Sequence, residues 1–129
     1  MREFRTAIFV LLVCACSAVA GAQSPKVEKE TVRGWLSDET CARGRASSGT
    51  YTGTNPRCAK ECIAKGKKIV LIDPEKKRIL AVENQSAARP NLGDYVEVTG
   101  TFTANTVHIA SLKQVSKGVA ACERAKLDQ

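Results

Sequence analysis

The chain has 129 residues, six cysteines, a formal net charge of +7 and aromatic side chains at only 5% of positions. That length admits one small domain with a modest core. The chain has no Gly-rich phosphate loop, which excludes a P-loop nucleotide site. Its few aromatics argue against single-strand nucleic-acid binding, which needs several stacking rings along a basic groove.

Residues 1–22 read as a secretory signal peptide. Arg2 and Arg5 precede an apolar run centred on residues 7–20, and the run ends in small residues. Ala18-Val19-Ala20 and Ala20-Gly21-Ala22 both satisfy the small-x-small cleavage rule. The run is shorter than the ~20 residues a membrane span needs. Cys16 follows Val13-Cys14-Ala15, a poor lipidation signal, so a lipoprotein is disfavoured. The expected location is the periplasm or the cell exterior, with no transmembrane segment in the mature form. Cleavage would leave a charge of about +6, which favours anionic envelope surfaces, although on charge alone a plain soluble basic surface is the better explanation.

Residues 23–30 are a polar lead-in. Residues 31–37 alternate as a strand, with Val32, Gly34 and Leu36 on one face and Thr31, Arg33 and Trp35 on the other. Gly34 within that pattern predicts a bulge or bend. Residues 38–54 have no period and read as a long irregular loop, which Cys41 could tie down. Asp38 and Glu39 are expected to close the strand with a local turn hydrogen bond. Asn55-Pro56 then opens a helix over 56–65, with Asn as N-cap, Pro at the first position and Gly66 as the stop.

The continuous apolar run 69–72 predicts a strand covered on both faces. A turn at 73–77 leads to its hairpin partner, 78–82. Residues 83–92 allow at most one helical turn. Residues 95–102 alternate cleanly, with Val96, Val98, Gly100 and Phe102 facing one way. Residues 106–115 form a fifth strand, with a bulge before Leu112. Five short strands, one helix and a long first loop predict a mainly β domain over 31–116, a small five-stranded barrel. A charged tail, 117–129, carries Cys122.

Two stretches carry a resemblance. Gly93 to Val115, "GDYVEVTGTFTANTVHIASLKQV", resembles the last two strands of OB-fold domains. "GWLSDETC" followed by "CAKECIAKGKKIVLID" resembles a group of small exported bacterial proteins of unknown activity with a G-W-x-S-D-x-x-C start and a C-x-x-x-C helix. The resemblance implies an OB-like barrel. Here Cys41 is followed by Ala42 rather than Gly, and the first loop has no histidine. The usual OB fold also places its helix between strands three and four, not one and two.

Three chemistries compete for Cys41, Cys58, Cys62 and Cys122. An exported setting favours structural disulfides. Cys58 and Cys62 lie four apart on one helix face, where a mutual bridge would strain the helix. One of the two helix cysteines would then hold Cys41 and the other could reach Cys122; the pairing preferred is Cys41–Cys62, worth about 3 kcal/mol by loop closure, with Cys58–Cys122 pinning the tail. A redox-active pair needs two intervening residues, and here there are three. A metal site could combine Cys41, Cys58 and Cys62 with His108, the only histidine, but strand alternation points His108 outward.

Serines lack a partnered histidine, so no hydrolase triad is supported, and no catalysis and no cofactor are expected. The candidate binding residues are Trp35, Tyr51, Lys67, Lys68, Lys76, Lys77 and Arg78, of which Trp35 is better explained by packing. The expected function is a non-catalytic exported binding or envelope-associated module. Its partner would be an anionic envelope component, another exported protein or a small ligand. The alternative is a thiol or metal protein using Cys41, Cys58 and Cys62.

Overall fold

A computed structural model describes Gly21 and residues 28–118. It has five strands: β1 (Glu28–Asp38), β2 (Ile69–Asp73), β3 (Arg78–Val82), β4 (Tyr95–Phe102) and β5 (Thr106–Ser116). Helices α1 (Glu39–Ser47) and α2 (Pro56–Ala64) lie between β1 and β2. A short α3 (Gln85–Ala88) and a 3-10 turn (Arg89–Asn91) lie between β3 and β4. The strands close into a barrel in the order β1-β2-β3-β5-β4, antiparallel except where β3 meets β5.

Inward residues of every strand fill the interior, among them Leu36, Leu71, Leu80, Val96, Val98 and Val107, all fully buried. Ala59 and Ile63 of α2 join that core. The outer face of β2 is covered too. Val70 and Ile72 pack with Ala42 of α1, and Trp35, Tyr51 and Ile79 lie against them. This explains why β2 reads as an unbroken apolar run and is buried at all five positions.

β1 is a corner strand. Residues up to Trp35 pair with β4, and residues from Trp35 onward pair with β2. Gly34 sits at that handover, where a Cβ would lie 2.1 Å from the Ile72 carbonyl oxygen. The bend expected at Gly34 is therefore a close backbone crossing. On β5 the register against β4 shifts between Thr99 and Gly100, leaving Ala110 as the extra residue just before Leu112.

The seam between β3 and β5 has only two paired positions, Ala81 with Thr106 and Val82 with Val107. One side-chain amide extends it, and a second extends the open end of the neighbouring β2–β3 ladder. Asn84 donates to the Ile109 carbonyl at 2.8 Å and accepts from its N–H at 2.9 Å. Gln85 accepts from the Ile69 N–H at 2.7 Å and donates to the carbonyls of Ile69 and Val82. Each replaces missing ladder bonds with side-chain atoms. Leaving part-buried backbone groups unpaired costs about 1–3 kcal/mol. Gln85→Ala and Asn84→Ala should each lower unfolding stability in urea by that order. A change under ~0.5 kcal/mol, ordinary for a surface site, would show that these strand ends hold without them.

Three expectations need correction. The stretch read as an irregular loop begins with helix α1, so the barrel carries three short helices rather than one. Asp38 caps α1, its side chain accepting from the backbone N–H groups of Thr40 and Cys41. ETCARGRAS has almost no amphipathic pattern and buries only Ala42, so no local pattern marks it as a helix. Second, β1 begins at Glu28, inside the expected lead-in, because β4 is long enough to pair with it as far as Phe102. Third, no two of the described cysteines stand at disulfide distance, so the expected Cys41–Cys62 bridge is not formed. The segment after α1 is held by other means. Arg45 donates to the carbonyls of Gly53 and Thr52, and Ser37 bonds Thr54 through their buried hydroxyls at 2.8 Å. Apart from Gly21, the expected signal peptide, residues 22–27 and Cys122 lie outside the described residues.

A candidate thiol and metal centre

Cys41 is the third residue of α1, and Cys58 is the third residue of α2. Each therefore sits in the first turn of a helix, where unpaired N–H groups and the positive end of the helix dipole favour negative charge. Each helix start is fixed by a side-chain cap, Asp38 for α1 and Asn55 for α2. Cys62 lies one turn beyond Cys58 on the same face. The Cys41 and Cys58 sulfurs are 3.4 Å apart. All three sulfurs lie within 4.8 Å of one another, and all three residues are half-buried.

Asp38 stands behind this triangle with no exposed surface. Its Oδ1 takes the two cap hydrogen bonds at 3.0 and 2.9 Å. Its Oδ2 is buried and has no hydrogen-bond partner. Burial is the main cause that pushes the Cys41 and Cys62 thiols upward, and the neighbouring Asp38 carboxylate pushes them further. The two thiols are near enough to feel its charge, yet neither satisfies Oδ2 with normal hydrogen-bond geometry.

A thiol raised in this way is a poor attacking nucleophile, because the thiolate is the reactive form. The environment is thus opposite to that of a fast oxidoreductase cysteine. At pH 8, iodoacetamide should modify Cys41 at least ~10-fold more slowly than in the urea-unfolded chain, since its thiolate fraction is lower. Equal rates in peptide-resolved mass spectrometry would contradict the raised thiol.

The other candidate residues are distributed differently. Trp35 packs in the second small core, with its ring centroid 5.0 Å from that of Tyr95, and Tyr51 lies against the same cluster. Both are half-buried in that packing. Lys67 and Lys68 precede β2, whereas Lys76, Lys77 and Arg78 lie at the opposite end of the β2–β3 hairpin. They form no single basic rim. Arg78 is committed locally, donating from Nε to Asp73 Oδ2 at 2.9 Å and lying over the Phe102 ring. Lys76 pairs with Glu30. Lys77, at positive φ, and Lys67 are exposed. His108 is exposed on β5 beside Glu83, 3.4 Å away, and does not join the cysteines.

Lys68 lines an open cavity of about 650 Å³ outside β2 and β3, floored by Val70, Ile79 and Ala81 and rimmed by Arg43, Glu39 and Glu83. No protein-family model, curated protein or solved structure matches this chain. Among the described residues, no helix is long and apolar enough to cross a membrane.

Proposed function

We propose that this is a small exported, non-catalytic module that binds a soft, thiophilic metal ion through Cys41, Cys58 and Cys62. The observation that carries the reading is three sulfurs within 4.8 Å of one another, backed by a buried carboxylate oxygen that lacks a partner. Thiolate ligands select soft ions such as Cu(I), or Zn(II). Closed zinc sites use four ligands, and among the described residues only three ligand atoms come together. Three thiolates suit a trigonal monovalent copper. Two helix N-termini help to offset their charge, and the ion must displace the thiol protons to bind. Export is supported by the basic and apolar first residues, and a bound ion would protect the thiols in an oxidising compartment. An OB-type barrel is supported by the strand order, with β3 parallel to β5.

The test is titration of the reduced chain with Cu(I), or with Ag(I) as its air-stable analogue, against a competing chelator. One equivalent should bind with a thiolate-to-metal absorption band, and Zn(II) should bind more weakly. Serine at Cys41, Cys58 or Cys62 should weaken binding beyond the ~10–100-fold typical of losing an outer-shell group. Cys122→Ser should leave it intact. Binding that survives Cys41→Ser would refute the centre.

A second reading rests on the cavity outside β2 and β3, whose volume suits a small ligand. The anionic-surface reading is weaker, since its basic residues are divided between two ends of a hairpin.

A further inference from the structure

We propose that Cys41 and Cys58 are the site of a reversible disulfide, formed by exchange with an oxidised dithiol partner, and that closing it dismantles the metal centre. The gating half of this inference rests on the metal reading above. The choice of pair rests on geometry alone.

The Cys41–Cys58 separation of 3.4 Å is already sulfur–sulfur contact. A disulfide bond is about 2.05 Å long, so the sulfurs need to approach by only about 1.3 Å. The two residues stand on different helices, each in a first turn, and both are half-buried, within reach of an incoming disulfide. Cys62 is a poorer partner for Cys58, because four residues along one helix do not offer disulfide geometry without distortion. The structure thus pairs Cys41 with Cys58, not with the Cys62 favoured by sequence reasoning.

The exchange balances in two steps. One sulfur of the pair, as thiolate, attacks a sulfur of the partner disulfide, and the partner's other sulfur leaves as thiolate. The remaining sulfur of the pair then attacks the protein sulfur of the mixed disulfide and expels the partner's first sulfur. Cys41 and Cys58 together lose two electrons and two protons, and the partner disulfide gains both to become a dithiol. Of three thiolate ligands only Cys62 remains, and a single thiolate does not retain the ion. Reduction by a dithiol reverses each step and restores all three.

The test uses the full chain carrying Cys14→Ser, Cys16→Ser and Cys122→Ser, kept in mild detergent. The reduced protein is loaded with Ag(I), treated with oxidised dithiothreitol across a series of redox potentials, alkylated and mapped by mass spectrometry. The expected product links the Cys41 and Cys58 peptides, leaves Cys62 alkylated and releases the silver in step, with rebinding on reduction. Adding Cys62→Ser should abolish silver binding yet form the same disulfide. A disulfide that includes Cys62, or three alkylatable thiols at every potential, overturns the pairing. Silver retained by the oxidised protein overturns the gating. A reduced protein that binds no silver refutes the metal reading, and the disulfide map then still decides the pairing. In the chain that keeps Cys122, a Cys58–Cys122 product would also overturn the proposal.

Discussion

Gly34→Val is expected to leave no folded barrel at 37 °C. At the point where β1 passes from β4 to β2, a Cβ on residue 34 would lie 2.1 Å from the Ile72 carbonyl oxygen and 3.1 Å from Leu71 Cδ1. The first atom is backbone in a fully buried strand and cannot rotate away. Relief requires separating β1 from β2, which breaks the pairing of Trp35–Asp38 with Ile69–Ile72. It also moves Asp38, the cap of α1. Losses above ~4 kcal/mol are exceptional for one substitution, and this site combines overpacking with lost ladder bonds. Even Gly34→Ala should fall in the range of several kcal/mol. Thermal unfolding by circular dichroism decides it, and an Ala variant within 1 kcal/mol of the wild type, well inside the usual spread of single substitutions, would mean that the crossing is looser than described.

Asp38 separates two roles that one residue performs. Asp38→Ala removes both cap hydrogen bonds, to Thr40 and Cys41, and should destabilise by about 1–2 kcal/mol, the upper range for a lost N-cap. It also frees the first turn that positions Cys41, so affinity for a soft metal should fall. Asp38→Asn keeps a capping oxygen, and asparagine is as good an N-cap as aspartate, so stability should change by less than about 1 kcal/mol.

The charge is nonetheless gone in Asp38→Asn. The Asp38 carboxylate raises the Cys41 and Cys62 thiols, so its removal lowers both toward the ordinary thiol value. Burial, the larger cause, stays and keeps them above it. Alkylation of Cys41 and Cys62 at pH 8 should therefore be faster in Asp38→Asn than in the wild type, with the fold intact. Unchanged rates would remove the carboxylate from the electrostatics of the centre.

Several elements were legible from local pattern. Strict alternation in YVEVTGTF gave β4 its observed bounds, and the bulge before Leu112 appears in the register of β5. Asn55-Pro56 and Gly66 marked α2 because capping chemistry is local, and Gly66 has the expected positive φ. The apolar run at β2 implied cover on both faces without saying what covered it. Trp35 packs against that cover.

Helix α1 was not legible in the same way. It contains Gly44 and Ser47, buries one residue, and is held by contacts remote in sequence. The Glu39 N–H donates to the Lys68 carbonyl at 2.9 Å, and Ala42 packs on Val70 and Ile72. No window around residues 39–47 contains those partners.

That difference decides how the cysteines are read. The sequence alone determined that Cys58 and Cys62 share a helix face, because helical period and caps are short-range properties. It could not determine where Cys41 stands. In an irregular loop, Cys41 could reach either helix cysteine, and disulfide statistics for exported chains then favour a staple. Once β2 and the Asp38 cap fold residues 39–47 into a helix, Cys41 is held in a first turn against Cys58, and three thiols and a buried carboxylate come together. Only tertiary structure decided this, because the contacts that hold α1 join residues about thirty positions apart.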